Sequence, residues 1–233
     1  MSELDAPDDP DALYQARGDV PISLPIMQGD VYAGITVPGL ADELTTVAIV
    51  MHPCSMRAGA SLRPKITVAA VTRYQRLRDA EWRTGHVNVM PLPGLRQTAD
   101  WYAIDFREVA AVPNGVLSPR SRIAACSQQG ILLLQQRYAF HLTRLVVPLA
   151  NLNEVSQPVF TESELLTDWV DAALDVAADG ADATVAEAER AFHAYLDEDD
   201  RRRRKRLQQP HLHADLRREC RREIAARYPS AVG

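Results

Sequence analysis

Short runs of β-branched and aromatic residues, separated by Gly, Pro and polar residues, dominate the first half of the chain. These runs cover residues 31–37, 45–51, 66–71, 86–90 and 101–112. Apolar runs of this length, bounded by turn residues, are typical of strands. Five short strands at this spacing predict a small antiparallel β-barrel or a strongly bent sheet.

After Pro119 the apolar positions change to helical spacing. Ser127 stands where an N-cap is expected, and its hydroxyl can accept a hydrogen bond from the first helical turn. The sequence therefore predicts a helix that closes one end of the barrel and buries a stripe made of Ile131, Leu134, Tyr138, Leu142 and Leu145.

The last third of the chain has the pattern of helices. Two sequences of the capping-box type, Thr161–Glu164 and Thr184–Glu187, predict helices over 161–178 and 184–207, with Gly180 in the break. A third helix is predicted near 213–228. These helices are expected to pack through one apolar set, which comprises Leu165, Leu166, Trp169, Val170, Phe192, Leu196, Leu216, Cys220 and Ile224.

These patterns predict an α+β protein of 233 residues in three parts. Residues 1–21 are a disordered or loosely docked lead-in, 22–150 the barrel with its closing helix, and 151–233 a helical extension. Three widely spaced cysteines imply no disulfide framework and fit a reduced, cytoplasmic setting. Because no window is apolar enough to cross a bilayer, we expect a protein that is neither secreted nor membrane-embedded.

The net charge of −5 hides a division along the chain. The segment 151–200 carries −13, and 201–233 carries +8. Asp197–Asp200 precede Arg201–Arg204 by four residues each, so the sequence predicts intrahelical ion pairs and a solvated helix. The alternative is that this run of basic residues binds the phosphates of a nucleic acid, although no aromatic residues are interleaved with it to stack on the nucleobases.

Five pieces of the first half resemble the MazF/PemK family of toxin endoribonucleases. Gln28–Tyr32 is similar to the family's opening "RGDIY" strand, and Thr46–Val50 and Ile66–Thr72 are similar to its second and third strands. His86–Val89 and Trp101–Val109 are similar to its "HVEI" and "LLEQIRTI" strands. The resemblance covers about residues 26–147 and implies an SH3-like barrel with RNA-cleaving activity.

The resemblance also implies particular site residues. In the family an Arg-Pro pair opens the second strand and acts with a hydroxyl residue that closes the third. Here Thr45-Thr46 stands in place of Arg-Pro, so only Thr72 carries over. Cleavage without metal needs an acid, a base and fixed donors for the phosphate. The candidates near the predicted rim are therefore Thr72, Arg57, Arg63 and His52 for catalysis, with Arg73, Arg76 and Arg78 for binding RNA.

Each of these residues also has a plain structural interpretation, as a solvated loop arginine or a packed β-branched residue. Two functions stay open at this point. One is a metal-independent endoribonuclease toxin, or a degenerate relative of one. The other is a non-catalytic module that binds protein or nucleic acid in a bacterial toxin–antitoxin or phage-defence assembly. Neither needs a cofactor or a metal.

Candidate partners are RNA, a second copy of the chain in a homodimer, and an antitoxin or other protein that contacts the helical extension. The acidic segment 151–200 can also be interpreted as a fused cover over the basic barrel. We favour packing for this segment, because capped amphipathic helices usually bury an apolar stripe.

Overall fold

A computed structural model describes residues 3–16, 20–38, 41–58, 61–95, 99–177, 181–198 and 201–229. The strands in this part of the chain are β1 (Tyr14–Ala16), β2 (Val31–Val37), β3 (Ala41–Ile49), β4 (Arg57–Ala58), β5 (Ser61–Leu62), β6 (Lys65–Tyr74), β7 (Val89–Pro93), β8 (Trp101–Pro113) and β9 (Arg122–Cys126). The α-helices are α1 (Pro53–Met56), α2 (Asp79–Thr84), α3 (Gln128–Thr143), α4 (Leu149–Val176), α5 (Ala181–Leu196), α6 (Arg203–Leu207) and α7 (His213–Arg227).

The protein is α+β, as the sequence predicts. The described strands form one antiparallel sheet in the order β1-β9-β2-β3-β6-β8-β7, with β4 and β5 in a separate ribbon. Within the described residues no backbone ladder joins the two end strands, so the sheet is not closed. The Tyr14 hydroxyl of β1 nevertheless donates to the Pro93 carbonyl of β7. The sheet is therefore curved enough for its two edges to meet through a side chain.

Contacts divide the chain into two compact units. The sheet unit comprises 1–20, 26–57 and 62–154, and the helical unit comprises 21–25, 58–61 and 155–233. Within the described residues no helix is both long and apolar enough to cross a membrane.

The two faces of the sheet carry separate apolar clusters, because strand residues alternate in direction. One cluster includes Val71, Ile104 and Phe106 and packs on Leu133 and Leu134 of α3. The other cluster gathers side chains from β2, β3, β6 and β8, among them Tyr32, Val47, Ile49, Ile66, Val68 and Val112. Both faces of the curved sheet are thus buried over its centre.

Helix α3 begins as predicted. The Ser127 hydroxyl accepts from the Gly130 N–H at 3.1 Å and donates to the Leu13 carbonyl at 3.1 Å. A Cβ at Gly130 would lie 2.2 Å from that carbonyl oxygen, so only glycine allows this approach. The far end of the predicted stripe is wrong: Leu142 and Leu145 are 64% and 68% exposed. Helix α3 ends at Thr143, and Arg144 turns the chain with φ +63°, so Leu145 lies beyond the helix, whereas Leu142 is exposed in its last turn.

The helical unit confirms the predicted packing. Side chains from α4, α5, α6 and α7 form one core around Trp169 and Phe192, whose ring centroids are 5.7 Å apart. Every residue of the predicted apolar set is buried in this core.

Three helix boundaries in this unit differ from the prediction. Helix α5 begins at Ala181, so Thr184 lies inside it and does not cap it. Helix α4 begins at Leu149 and continues through Pro158, so Thr161 lies inside it and does not cap it. The Thr161 hydroxyl instead contacts His213 Nδ1 at 3.0 Å. Helix α5 ends at Leu196, whereas the sequence pattern predicts that it continues to residue 207. Gly180 lies outside the described residues.

The predicted ion pairs at a spacing of four residues are also wrong. With the helix ended, Asp197 pairs with Arg204 and Glu198 with Arg203. Asp199 and Asp200 lie outside the described residues. Arg203 also binds Glu219 of α7, and Arg204 also binds Glu162 of α4, so the charges meet between neighbouring helices.

Candidate functional site

The structure separates the predicted site residues into two groups at opposite ends of β6. His52, Arg57 and Arg63 lie beside its first residue, Lys65, whereas Thr72 is near its last. Seven residues of strand separate Lys65 from Thr72, which corresponds to a length on the order of 20 Å. The predicted rim that combines Thr72 with Arg57, Arg63 and His52 is therefore not formed.

The first group has structural roles in the loop before β6. His52 caps α1, where its Nδ1 accepts from the Cys54 N–H at 3.3 Å, and burial lowers the pKa of His52 below 6.5. The Arg63 side chain is exposed, and its backbone N–H donates to the Met56 carbonyl at 2.7 Å. Arg57 is half-buried in β4.

The second group lies on the segment that leaves β6. Thr72 is exposed and pairs with Ala103 of β8. Arg73 forms an ion pair with Asp100 at 3.0 Å. Arg76 is exposed and has no ion pair with a described residue. Arg78 begins α2 and binds Glu81, which keeps it off the strand end.

Next to this segment the fold assembles side chains that we call the two-histidine cluster: Tyr74, His86, Asn88, Asp105, Arg107 and His141. The Tyr74 hydroxyl lies 2.6 Å from His86 Nδ1, and the Gln75 amide nitrogen lies 3.3 Å from His86 Nε2. Both contacts are satisfied when Nδ1–H donates to Tyr74 and Nε2 accepts from Gln75. The lone pair of the neutral ring is then on Nε2.

His141 stands on α3 with a similar arrangement. Its Nδ1 lies 3.0 Å from the side-chain oxygen of Asn88, which can only accept, so Nδ1 carries the proton. The Nε2 atom of His141 therefore holds a lone pair. Burial, reinforced by the charges of Arg144 and Arg107, lowers the pKa of His141 below 6.5, so the ring is neutral at pH 7.

A bulge in β8 places the charged pair of the cluster. Ala69 is opposite Val109 but Ala70 is opposite Asp105, so three residues from Phe106 to Glu108 have no partner in β6. Bulges of this kind redirect side chains next to functional sites. The Arg107 guanidinium makes two bonds to the Asp105 carboxylate, at 2.9 and 2.6 Å, and these bonds hold the pKa of Asp105 below its usual range.

The two bonds orient the guanidinium and leave its NH1 group without a partner among the described residues. The Arg107 side chain is 61% exposed. The charges of Asp105 and Arg107 act on both Tyr74 and His141. The charged pair therefore lies near His141 and near Tyr74, which contacts His86.

Arg137 holds the backbone of the segment that carries His86. Its buried guanidinium donates to the backbone carbonyls of Val89, Trp82 and His86 at 2.9, 2.8 and 3.0 Å and lies 5.6 Å from the Trp82 ring centroid. Burial lowers the pKa of Arg137 to about 10, so the group is still protonated at pH 7. These bonds fix the loop in which His86 takes a left-handed φ of +53°.

Most of the two-histidine cluster was missed at the sequence level. His86 and His141 are 55 residues apart, and neither lies in a motif. One signal was available: "HVN" before the fourth predicted strand places a histidine and an asparagine at a strand end, where functional side chains often lie.

The described residues contain no group of three or more His, Cys, Asp or Glu side chains that could hold a metal ion. Comparison with models of known protein families finds no match. A search of curated proteins also finds no match.

Proposed function

We propose that the sheet unit binds RNA and cleaves it without metal at the two-histidine cluster, as a relative of the MazF/PemK toxins. One observation carries the proposal. Two imidazoles, each with its lone pair assigned to Nε2, belong to one cluster with a guanidinium that is held in place by a carboxylate. Cleavage through the 2′-hydroxyl needs a general base, a general acid and a group that binds the phosphate.

The fold supports the family part of the proposal. Five antiparallel strands match the order of the resembling segments, and the Tyr14–Pro93 bond brings the two edges of the curved sheet together. An SH3-like barrel is the arrangement that this curvature favours. Helix α3 follows the last strand of the sheet, in the position of the helix that the resemblance implies.

His141 acts as the base in the proposed reaction. Its lowered pKa keeps the ring neutral at pH 7, and the bond to Asn88 directs the lone pair to Nε2. Nε2 removes the proton of the 2′-hydroxyl as that oxygen forms a bond to the adjacent phosphorus. The bond from phosphorus to the 5′-oxygen of the next nucleotide breaks in the same step.

His86 acts as the acid in its imidazolium form. Tyr74 accepts from Nδ1–H and fixes the plane of the ring. In the proposed reaction the exposed Gln75 amide moves away from Nε2, and Nε2–H donates to the leaving 5′-oxygen. The products are a 2′,3′-cyclic phosphate and a 5′-hydroxyl. The proton taken by one histidine is balanced by the proton given by the other.

Arg107 stabilises the charge that develops on the phosphate. The two bonds to Asp105 hold the guanidinium before substrate arrives, so little reorganisation is needed. Arg73, Arg76 and Thr72 lie on the segment beside the cluster and are suited to contact the flanking phosphates.

The test is cleavage of a single-stranded RNA pool in the presence of EDTA. His141→Gln and His86→Gln are each expected to reduce the rate about 100-fold or more, which is the usual contribution of general acid–base catalysis. Arg107→Met should reduce it comparably. His211→Gln and Arg83→Gln are the matched controls, because both residues are exposed and lie outside the cluster, and neither should change the rate.

RNA with a 2′-deoxy substitution at the cleaved position should bind but not be cut. Full cleavage by both histidine variants, or cleavage only with added divalent metal, would remove this site assignment.

A second function is favoured by one feature of the second predicted strand. Thr45-Thr46 stands where the family has its Arg-Pro pair; Thr45 is half-buried, and Thr46 is buried, with 7% of its surface exposed. A sheet unit that binds RNA or protein without cutting it would account for this substitution. Salt-dependent RNA binding, with no cleavage of any pool by the wild-type protein, would select this second function.

A further inference from the structure

Among the described residues, the side chains that line one cleft in the helical unit are all charged. The cleft has a volume of about 520 Å³ and lies along α6 and α7. Its lining residues are Arg201, Arg203, Arg206, Glu219, Arg222 and Glu223. The volume falls in the range of pockets that bind small ligands, about 300–1,000 Å³.

Arg203 forms a rigid base for the cleft. Only 2% of its side chain is exposed, and its guanidinium lies 3.8 Å from the Tyr195 ring centroid. It donates to the Tyr195 carbonyl at 2.7 Å and to Glu219 at 2.7 Å. These contacts remove the side-chain freedom that a ligand would otherwise have to restrict.

Glu219 is shared by three guanidinium groups. Its carboxylate accepts from Arg203 at 2.7 Å and from Arg206 at 2.6 Å, and Arg201 lies 3.6 Å away. Their charges hold the pKa of Glu219 below its usual range, so it is ionised at pH 7. One carboxylate cannot neutralise three arginines.

Arg222 adds a further unmatched charge. Its Nε donates to the Arg218 carbonyl at 3.4 Å, and its terminal nitrogens bond to no described residue. The remaining carboxylate of the lining, Glu223, also pairs with Arg227 outside the cleft, at 3.3 Å. When Glu198, which also binds Arg203, and Arg227 are included, five guanidinium groups face three carboxylates among the described residues, which leaves an excess of about two positive charges.

From this geometry we infer that the cleft is a binding site for a compact anion with several phosphate oxygens, such as the pyrophosphate group of a nucleotide. Guanidinium groups present paired donors that match phosphate oxygens. The lining holds no aromatic or aliphatic side chain on which a base could stack, so recognition is of phosphate and not of base. The site lies wholly in the helical unit and does not depend on the two-histidine cluster.

The test is calorimetric titration of the full chain with pyrophosphate at low salt. Arg222→Gln and Arg201→Gln should each weaken binding about tenfold or more, because both remove donors that the protein leaves unsatisfied. Arg218→Gln is the matched control: Arg218 lies on α7, is paired with Asp215, and does not line the cleft. It should leave the affinity within about twofold of wild type. ADP should bind comparably to pyrophosphate, and orthophosphate more weakly.

Each other outcome overturns the inference. Pyrophosphate binding that is unchanged in both Arg222→Gln and Arg201→Gln would place the ligand elsewhere. Equal loss in Arg218→Gln would show only general attraction to a basic surface. A single-stranded oligonucleotide could bind through the same arginines and resist displacement by pyrophosphate. That result would show that the surface binds an extended nucleic-acid backbone and not a compact anion. Thermal unfolding of each variant separates a lost site from a lost fold.

Discussion

In the sheet unit the buried guanidinium of Arg122 faces one carboxylate, that of Asp30, at 3.0 Å. In the helical unit the buried guanidinium of Arg203 shares Glu219 with two other arginines and also binds Glu198. The first arrangement is closed, because the two charges pair with each other and both are shielded from water. The second is open, because arginines outnumber the carboxylates and several reach solvent.

This difference bears on where each unit can bind an anion. A closed pair has no free donor to offer a ligand and serves the fold. An open set keeps donors unsatisfied and an excess of positive charge, both of which a phosphate can use. In the sheet unit, Arg107 in the bulge of β8 keeps a free donor of this kind among the described residues.

The largest expected effect comes from breaking the closed pair. Arg122→Met leaves the Asp30 carboxylate buried with only the Met27 N–H and Tyr32 hydroxyl as partners, so the free energy of unfolding should fall by about 3–5 kcal/mol at pH 8. The control is Arg76→Met, which removes an exposed arginine and should change little. Urea denaturation measures both.

The loss from Arg122→Met should shrink as the pH falls. Burial raises the pKa of Asp30 to about 6 even with Arg122 present, and removal of Arg122 raises it further. At pH 5 the carboxyl group is then protonated and no unpaired charge is buried. A loss that is equal at pH 5 and pH 8 would contradict this account of the pair.

Removal of Arg203 from the open set around Glu219 should lower the free energy of unfolding by a smaller amount. In Arg203→Met, Glu219 retains Arg206 and Arg201, and the Glu198 side chain is 53% exposed and can turn to water. We expect a decrease of about 1–3 kcal/mol in the free energy of unfolding, mainly from the bond to the Tyr195 carbonyl and the contact with its ring. A loss as large as that of Arg122→Met would show that the two arrangements do not differ in this way.

A smaller effect should appear in the dependence of stability on pH. Burial lowers the folded-state pKa of His141, so below pH 6.5 the unfolded chain binds a proton more readily than the folded one. The stability due to His141 is therefore present above pH 6.5 and is lost as the pH falls toward its folded pKa. His52 acts in the same direction, and Asp30 in the opposite one.

Comparison of wild type with His141→Gln isolates this contribution. The variant should show a shallower fall in the free energy of unfolding between pH 7 and pH 5. Identical slopes for the two proteins would indicate that the His141 pKa is unshifted. If His141 is the base of the proposed reaction, the wild-type cleavage rate should also fall as the ring becomes protonated below pH 6.5.

The smallest effect is expected at an exposed pair on α7. Arg218 and Asp215 are 73% and 53% exposed, so Arg218→Gln should change the free energy of unfolding by less than about 1 kcal/mol. Added salt should reduce even this difference, because it screens exposed charges. A larger loss would mean that Arg218 takes part in the open set.

Several elements could be predicted because their signals are local. The apolar run at 31–37 coincides with β2, and the strand predicted over 101–112 extends by one residue in β8. The Ser127 cap and the buried stripe of α7 were also confirmed. Local signals misled where a tertiary contact competed with them. Thr161 and Glu164 have the capping-box spacing, but Thr161 contacts His213, and Glu164 binds Arg217.

The candidate site was less predictable, and Thr72 shows the reason. The local sequence is enough to predict that Thr72 lies near the end of a strand. Which side chains surround that end depends on the register of β6 with β8, on the bulge at Phe106–Glu108 and on the position of α3. None of these follows from periodicity, so Arg57, Arg63 and His52 were grouped with Thr72 although they lie at the other end of β6.

Periodicity was enough to locate most of the longer strands and helices and their apolar faces, because alternation and helical spacing mark the side of an element that is buried. The charged arrangements depend instead on tertiary contacts: Asp30 with Arg122, Glu219 with its three arginines, and the cluster that contains the two histidines and Arg107. Most of these contacts join residues that are far apart in the chain. Their geometry therefore depends on the register of β6 with β8, on the bulge in β8 and on where the helices end.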